Sequence, residues 1–159
     1  EIAVTARKSD LFLLWMAKNF LDSRPPLTFF KNFIVEKDGE HKNTFNLKTK
    51  GLVFIVDFAR LMSLKHGISE TNTLARLNLL RENLYLPSDL CNEIIEAYEF
   101  MMHLRLIHQL QMLETEQDPD NRINPKDLTD LERQTLKEAF LVIGRLQEFL
   151  RKDFHLTDQ

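Results

Sequence analysis

The sequence predicts a mainly all-α protein: an antiparallel bundle of four to five long helices with one short β-hairpin near residues 33–47. Three observations support this prediction. Apolar residues recur at intervals of three and four along several long segments. Most of the four glycines and five prolines fall between those segments. Asp38-Gly39, a pair typical of tight turns, separates two short stretches, residues 33–35 and 44–47, that could pair as strands.

The first two helices have clear boundaries in the sequence. Residues 9–22 form the first helix, which ends before Pro25-Pro26 because proline cannot continue a helix. Residues 51–66 form the second, with Gly67 as its C-terminal stop. This second helix is apolar on several sides, so we expect it at the centre of the bundle.

The third and fourth helices follow in residues 68–116. Ser69 or Thr71 is expected to cap the third helix, which continues to about residue 83. Pro87 lies in the first turn of the fourth, which continues to about residue 116. That helix would be roughly 45 Å long at 1.5 Å per residue.

A polar loop at residues 118–121 separates the fourth helix from the last one. The last helix starts near Thr129, where Thr129-Asp130-Leu131-Glu132 has the spacing of a capping box. Its apolar residues recur at three and four up to Leu150. We expect Gly144, within this helix, to let a neighbouring helix approach closely.

Composition limits the class of protein. A chain of 159 residues, 43% hydrophobic and 28% charged, is expected to form one globular domain. A net charge of −3 argues against general nucleic-acid binding. Cys91 is the single cysteine, so no internal disulfide forms, and a reducing, cytoplasmic location fits best. No stretch approaches the roughly 20 apolar residues of a membrane span. The chain begins at Glu1 without a signal-peptide pattern, and we expect it to be a piece of a longer cytoplasmic protein.

The motifs of self-contained catalysis are absent from the sequence. The glycine positions allow no phosphate-binding loop, and no nucleophile elbow occurs. His103 and His108 are five residues apart and face different ways, so they form no metal pair. We therefore expect this fragment alone to be catalytically inert, with no cofactor and no metal of its own.

Two sets of polar residues interrupt apolar helical sequence. Asp57 and Arg60 are one turn apart, which allows either a structural ion pair or an arginine oriented toward an anionic ligand. Arg105, His108, Gln109 and Met112 share one stripe of the fourth helix. That stripe is either a hydrogen-bonding face or an ordinary solvated one.

Motifs along nearly the whole chain resemble those of a known family. They are Arg24-Pro25-Pro26-Leu27-x-Phe29-Phe30, Asp38-Gly39-Glu40-His41, Leu47-Lys48-x-x-Gly51-Leu52, Ile55-Val56-Asp57-x-Ala59-Arg60, Thr71-Asn72-Thr73-Leu74-x-Arg76-Leu77, Glu99-Phe100, Leu104-Arg105-Leu106-x-His108-Gln109-Leu110, Pro119-Asp120-Asn121, Leu131-Glu132-Arg133 and Leu136-Lys137-Glu138-Ala139. Over about residues 14–154 the chain resembles the putative nucleotidyltransferase substrate-binding domain. That domain is found at the C-terminus of bacterial signalling proteins with cyclic-nucleotide-binding or CBS modules. A more distant similarity is to the helical domain of PII uridylyltransferase and glutamine synthetase adenylyltransferase.

The resemblance implies a non-catalytic domain packed against a nucleotidyltransferase domain of the same chain, which would supply the metal-binding carboxylates. Mg²⁺ and a nucleoside triphosphate are expected for the parent protein. An acceptor protein is a further expected partner, whereas a membrane or nucleic acid is not. The implied substrate-binding residues are Lys48, Asp57, Arg60, Thr71, Asn72, Thr73, Arg76, Arg105, His108 and Gln109.

Two positions depart from the family pattern. Asn46 stands where the family often has Asp, so no carboxylate role carries over to it. Leu52 follows Gly51 where the uridylyltransferase-like segment commonly has a second glycine. A different class of function is also open: a structural or regulatory bundle that mediates dimerisation or domain coupling through apolar residues of the long and last helices.

Overall fold

A computed structural model describes residues 10–23, 27 and 32–156 of the chain. Five α-helices pack together: α1 Asp10–Asp22, α2 Val53–His66, α3 Thr73–Glu82, α4 Ser88–Glu114 and α5 Asp130–Asp153. The predicted helical bundle is thereby confirmed. The predicted start of the first helix at Ser9 and its stop at Pro25-Pro26 lie outside the described residues.

The longest helices, α4 and α5, pack along each other, and α2 packs against both α1 and α3. The apolar face of α5 is buried from Leu136 to Leu150, as its spacing predicted. Three wholly buried side chains, Phe58 of α2, Met101 of α4 and Phe140 of α5, contribute to the core from different helices. The centre of the bundle is therefore built from α2, α4 and α5.

The two-stranded sheet forms, but its strands come from distant parts of the chain. The backbone does reverse at Asp38-Gly39, where the Glu36 and Asn43 N–H groups donate to the Thr44 and Glu36 carbonyls at 2.9 Å. The regular antiparallel pairing, however, joins β1, Phe45–Asn46, to β2, Arg122–Ile123. The turn leads into β1, and the loop after α4 provides its partner strand in place of residues 33–35.

A π-helical turn, Lys48–Leu52, precedes α2 and continues directly into it. Gly51 in this turn is buried against α4 and α5: a Cβ there would lie 2.7 Å from Sδ of Met101 and 3.0 Å from Cε1 of Phe140. At Gly144, by contrast, no atom beyond its chain neighbours and the backbone of its own helix lies within 4 Å of where a Cβ would be. The expectation that Gly144 permits close helix approach is therefore wrong, and Gly51 is the glycine with that role.

The helix ends match the predicted signals with one correction. Gly67 ends α2 in the left-handed conformation (φ 71°), and Thr129 and Glu132 form the capping box of α5. Asn72, rather than Ser69 or Thr71, caps α3, and its Oδ1 accepts from the Ala75 N–H at 3.0 Å. No helix among residues 10–23 and 32–156 is long and apolar enough to cross a membrane.

Candidate functional site

A cleft of about 680 Å³ lies between α1 and the start of α2. Its floor is apolar and includes Phe20 of α1 and Phe54 of α2, whose rings meet edge to face with centroids 5.6 Å apart. Polar side chains make up more than half of the lining of this α1–α2 cleft: Asn19, Asp22, Ser23, Thr49, Lys50, Asp57 and Arg60. A cleft of several hundred Å³ has the size of a small-ligand site, and its polar lining suits a ligand with charged or hydrogen-bonding groups.

Asp57 and Arg60 line this cleft together. Arg60 Nη1 donates to Asp57 Oδ1 at 2.8 Å, and the two side chains are 48% and 42% exposed, respectively. The expectation that they are charges inside an apolar helix is therefore wrong: the pair lies at the surface, where an ion pair contributes about 0–1 kcal/mol to stability. The stability of the fold therefore does not explain why an arginine lies here. The Asp57 carboxylate orients the guanidinium and with it the remaining N–H donors.

The start of α3 carries the second predicted group, Thr71, Asn72, Thr73 and Arg76. Arg76 Nε donates to the Glu70 carbonyl at 2.7 Å. Burial and the positive charge of Arg60 lower the pKa of the Arg76 guanidinium, while Glu70 raises it. Arg76 is thus close enough to Arg60 of the α1–α2 cleft to feel its positive charge.

The Glu70 side chain accepts hydrogen bonds from backbone N–H groups at the start of α3. Its Oε1 accepts from the N–H groups of Thr71 at 2.6 Å and Asn72 at 3.0 Å. The backbone donor of Asn72, followed by that of Thr71, lowers the pKa of the Glu70 carboxyl. An anion at this position would have to displace a carboxylate of the protein itself.

The third predicted group, the polar stripe of α4, contacts the loop after that helix. Arg105 Nε donates to Asn121 Oδ1, and His108 Nε2 lies 3.1 Å from Asp120 Oδ1. Gln109 donates to the Asp120 carbonyl at 3.0 Å, and Met112 Sδ accepts from the Asp120 N–H at 3.5 Å. The interpretation of this stripe as a hydrogen-bonding face is confirmed, and the 118–121 loop provides the partners of its hydrogen bonds.

The structure does not bring the predicted site residues together in one place. Asp57 and Arg60 lie in the α1–α2 cleft, and Arg76 lies near Arg60. Lys48 is exposed on the π-helical turn but does not line the cleft. Asn72, Arg105 and Gln109 line a separate, mostly apolar cleft of about 480 Å³ between α3 and α4.

Sequence reasoning missed five polar residues of the cleft: Thr49, Lys50, Asn19, Asp22 and Ser23. The first two are neighbours of the predicted Lys48, but only the π-helical geometry shows which side chains of the turn point to the cleft. Asn19 and Asp22 belong to α1, whose packing against α2 no local pattern reveals. Among the described residues, no three His, Cys, Asp or Glu side chains are grouped so as to hold a metal ion.

A helical bundle with an open, ligand-sized cleft and a mixed polar rim has the features of a ligand-binding domain. Comparison with known families agrees with this class. The model of the family described as "putative nucleotidyltransferase substrate binding domain" matches residues 10–154, and the chain belongs to that family. The family's name implies a catalytic nucleotidyltransferase domain as its partner. No curated protein and no solved structure gives a significant match.

Proposed function

We propose that this chain is the substrate-binding helical domain of a nucleotidyltransferase similar to PII uridylyltransferase, within a bacterial cytoplasmic signalling protein that also carries cyclic-nucleotide-binding or CBS modules. The catalytic domain of the same chain would bring Mg²⁺ and the nucleoside triphosphate. Family membership supports the substrate-binding role. The signalling context and the likeness to uridylyltransferase rest on the sequence motifs.

The observation that carries the proposal is the α1–α2 cleft with its two cations, Lys50 and Arg60. Guanidinium and ammonium groups donate charge-assisted hydrogen bonds to phosphate oxygens. The apolar floor at Phe20 and Phe54 suits a nucleobase or an apolar side chain of the acceptor. Asp22 and Asp57 can accept from hydroxyl or amine groups. The cleft therefore offers contacts for the charged, apolar and hydrogen-bonding groups of a nucleotide or an acceptor.

The other predicted residues take supporting places in the proposal. Arg76 adds positive charge near Arg60, and Lys48 adds positive charge on the π-helical turn. Asn72, between Thr71 and Thr73, caps α3, and the Glu70 carbonyl holds Arg76. Because Arg105, His108 and Gln109 contact the 118–121 loop, we assign them to the framework of the domain in the absence of ligand.

The test is a thermal-shift screen of the chain against ATP, UTP, CTP and GTP, each with and without Mg²⁺, followed by calorimetry of each hit. A ligand present at 100 times its Kd stabilises the folded state by about 2.7 kcal/mol, which raises Tm by several degrees. We expect saturable binding to the wild-type chain and its loss in Arg60→Met.

A matched control is Arg145→Met. Arg145 pairs with Glu93 at 2.9 Å, is 45% exposed and lies on α5, outside the α1–α2 cleft. Like Arg60→Met, the Arg145→Met substitution removes one positive charge from an exposed ion pair. Because Arg145 lies outside the cleft, this substitution should leave binding unchanged. Binding that survives in Arg60→Met, or that is lost equally in Arg145→Met, would contradict the proposal.

One observation favours a second candidate function, an interaction module. Four large apolar residues of α4 form a stripe that remains exposed in the bundle: Met102, Leu106, Leu110 and Leu113. Leu106, Leu110 and Leu113 are 54%, 47% and 57% exposed. Most apolar residues of α5 are buried, so of the long and last helices only α4 supports this candidate. A contiguous exposed apolar patch is typical of a protein–protein contact.

Light scattering at high protein concentration tests whether a second copy covers this α4 apolar stripe. If it does, the wild-type chain is a dimer and the double variant Leu106→Lys, Leu110→Lys is a monomer. Leu131→Lys is the control, because Leu131 is 77% exposed but lies at the start of α5. A monomeric wild-type chain at high concentration would exclude the homodimer.

A further inference from the structure

The π-helical turn Lys48–Leu52 presents two lysines, but only one of them faces the α1–α2 cleft. Thr49 and Lys50 line the cleft, and Lys48 does not. Both lysine side chains are exposed, and within the part of the chain that the structure describes neither makes an ion pair or side-chain hydrogen bond. An unpaired ammonium at the edge of an open cleft is available to a ligand without first breaking a contact.

The shape of the turn depends on what lies behind it. The Gly51 backbone approaches Met101 and Phe140 so closely that a Cβ would lie 2.7 Å from Sδ and 3.0 Å from Cε1. Both neighbours are wholly buried, so neither side chain can move into solvent to make room. On the outer side, Asn46 Oδ1 accepts from the Thr49 N–H at 3.1 Å. The turn is therefore held from both sides.

These contacts fix which residues face the cleft. The hydrogen bonds of a π-helical turn join residues i and i+5 rather than i and i+4. Its side chains therefore point in other directions than they would in an α-helix of the same sequence. Pushing the backbone away at Gly51 would move the two residues just before it, Thr49 and Lys50. The hydrogen bond from the Thr49 N–H to Asn46 Oδ1 holds Thr49 in place.

We propose that Lys50 and Thr49 bind an anionic, phosphate-bearing part of the ligand at the mouth of the cleft, and that Gly51 is the positioning residue that holds them there. This inference rests on the proposed function, since it names the contacts of the same cleft. The ammonium of Lys50 donates to phosphate oxygens, and the hydroxyl of Thr49 gives up its long hydrogen bond to the Asn46 carbonyl (3.5 Å) to do the same. Arg60 lies about 15 Å farther along the helix axis, at 1.5 Å per residue, so it contacts another part of an extended ligand. Lys48 adds charge without direct contact.

The first experiment compares two lysines of one turn. Calorimetry with Mg²⁺-UTP, and separately with inorganic pyrophosphate, gives Kd for the wild-type chain, Lys50→Met, Thr49→Val and Lys48→Met. A charge-assisted hydrogen bond contributes enough for Lys50→Met to weaken binding about tenfold. Thr49→Val should weaken it less, and Lys48→Met should change it less than twofold. Equal losses in the two lysine variants, or a larger loss in Lys48→Met, would overturn the assignment.

The second experiment tests the positioning role of Gly51. Gly51→Ala should weaken binding about as much as Lys50→Met, because the added methyl displaces the turn. Met101→Ala makes room for that methyl, so the double variant Gly51→Ala, Met101→Ala should recover most of the affinity that Gly51→Ala loses. Amide NMR signals of Thr49 and Lys50 provide a readout without ligand: they should shift in Gly51→Ala and return toward wild type in the double variant.

The outcomes separate this inference from the function on which it rests. Wild-type binding that is lost in Arg60→Met but unaffected by Lys50→Met and Gly51→Ala would overturn the inference and leave the proposed function standing. Absence of binding of all four nucleoside triphosphates and pyrophosphate to the wild-type chain would overturn both. Recovery of the NMR signals without recovery of affinity in the double variant would overturn the role of Gly51.

Discussion

The backbone N–H of Leu47 donates to the carbonyl oxygen of Asn121 at 2.8 Å, so the loop after α4 is joined directly to the residue that precedes the π-helical turn. The side chain of the same asparagine accepts from Arg105. Asn121 thus connects α4 to the segment that leads into α2. The polar stripe of α4, to which Arg105 belongs, therefore supports the cleft at a distance, because it holds this connection in place.

We predict that Asn121→Ala lowers the free energy of unfolding by about 1–3 kcal/mol, because it leaves the partly buried Arg105 guanidinium without its acceptor. Urea denaturation measures the change. The control is His103→Ala, which removes an exposed side chain from the same helix and should change stability by less than about 0.5 kcal/mol. Equal stability of the two variants would show that the Asn121 side chain does not contribute to stability.

We predict that Arg60→Met leaves the free energy of unfolding within about 1 kcal/mol of wild type, because an exposed ion pair contributes little to stability. Urea denaturation without ligand checks this prediction. The result separates the two readings of the Asp57–Arg60 pair. A loss well beyond 1 kcal/mol would favour the structural ion pair over the ligand-oriented arginine.

The capping box of α5 should make stability depend on pH in the acid range. Hydrogen bonds from the Thr129 hydroxyl, and then from its N–H, lower the pKa of the Glu132 carboxyl below its ordinary value of 4.5. A carboxyl with a lower pKa in the folded state stabilises the fold above its unfolded pKa and loses that contribution as the pH falls through the folded pKa. Glu132→Gln should therefore reduce stability at pH 7 and lose less between pH 5 and pH 3 than wild type.

Thr129→Ala isolates the other half of the same capping box. Removing an N-cap hydroxyl costs about 1 kcal/mol of stability. Thermal unfolding monitored by circular dichroism at pH 7 and at pH 3 gives the comparison. If wild type, Glu132→Gln and Thr129→Ala all lose stability in parallel as the pH falls, the capping box does not carry the acid dependence.

We predict that Cys91 reacts slowly with thiol reagents in the folded protein. Its thiol is wholly buried, lies 3.2 Å from the Leu77 carbonyl, and has a pKa raised by burial. Since the thiolate is the reactive form, both accessibility and ionisation oppose modification. Labelling by iodoacetamide should become fast only in denaturant. Rapid labelling under native conditions would show that α3 and α4 separate locally without global unfolding.

Sequence reasoning succeeded where the pattern is local. The periodicity of α5 and the capping box at Thr129 depend on residues within a few positions of each other, as does Gly67 at the end of α2. It succeeded less well where distant segments meet. The partner of β1 is β2, about 77 residues later, given the pairs Phe45 with Ile123 and Asn46 with Arg122. No spacing rule connects such segments, so residues 33–35 were the nearest available partner.

The candidate site shows the same division. The pairing of Asp57 with Arg60 follows from their separation of one helical turn, but its exposure does not, because that depends on where α1 packs. Lys48 was the expected contact of its turn, whereas the π-helical geometry brings Thr49 and Lys50 to the cleft. The polar face of α4 was apparent in the sequence, but the 118–121 loop as its partner was not.

The measurement that tests the central claim most directly is a titration of the ¹⁵N-labelled chain with Mg²⁺-UTP, followed by amide NMR. The account predicts saturable shift changes concentrated at Thr49, Lys50, Asp57 and Arg60, and their loss in Arg60→Met but not in Arg145→Met. Shift changes confined to the α4 apolar stripe, or no saturable change at any of these amides, would contradict the assignment of the α1–α2 cleft as the substrate-binding site.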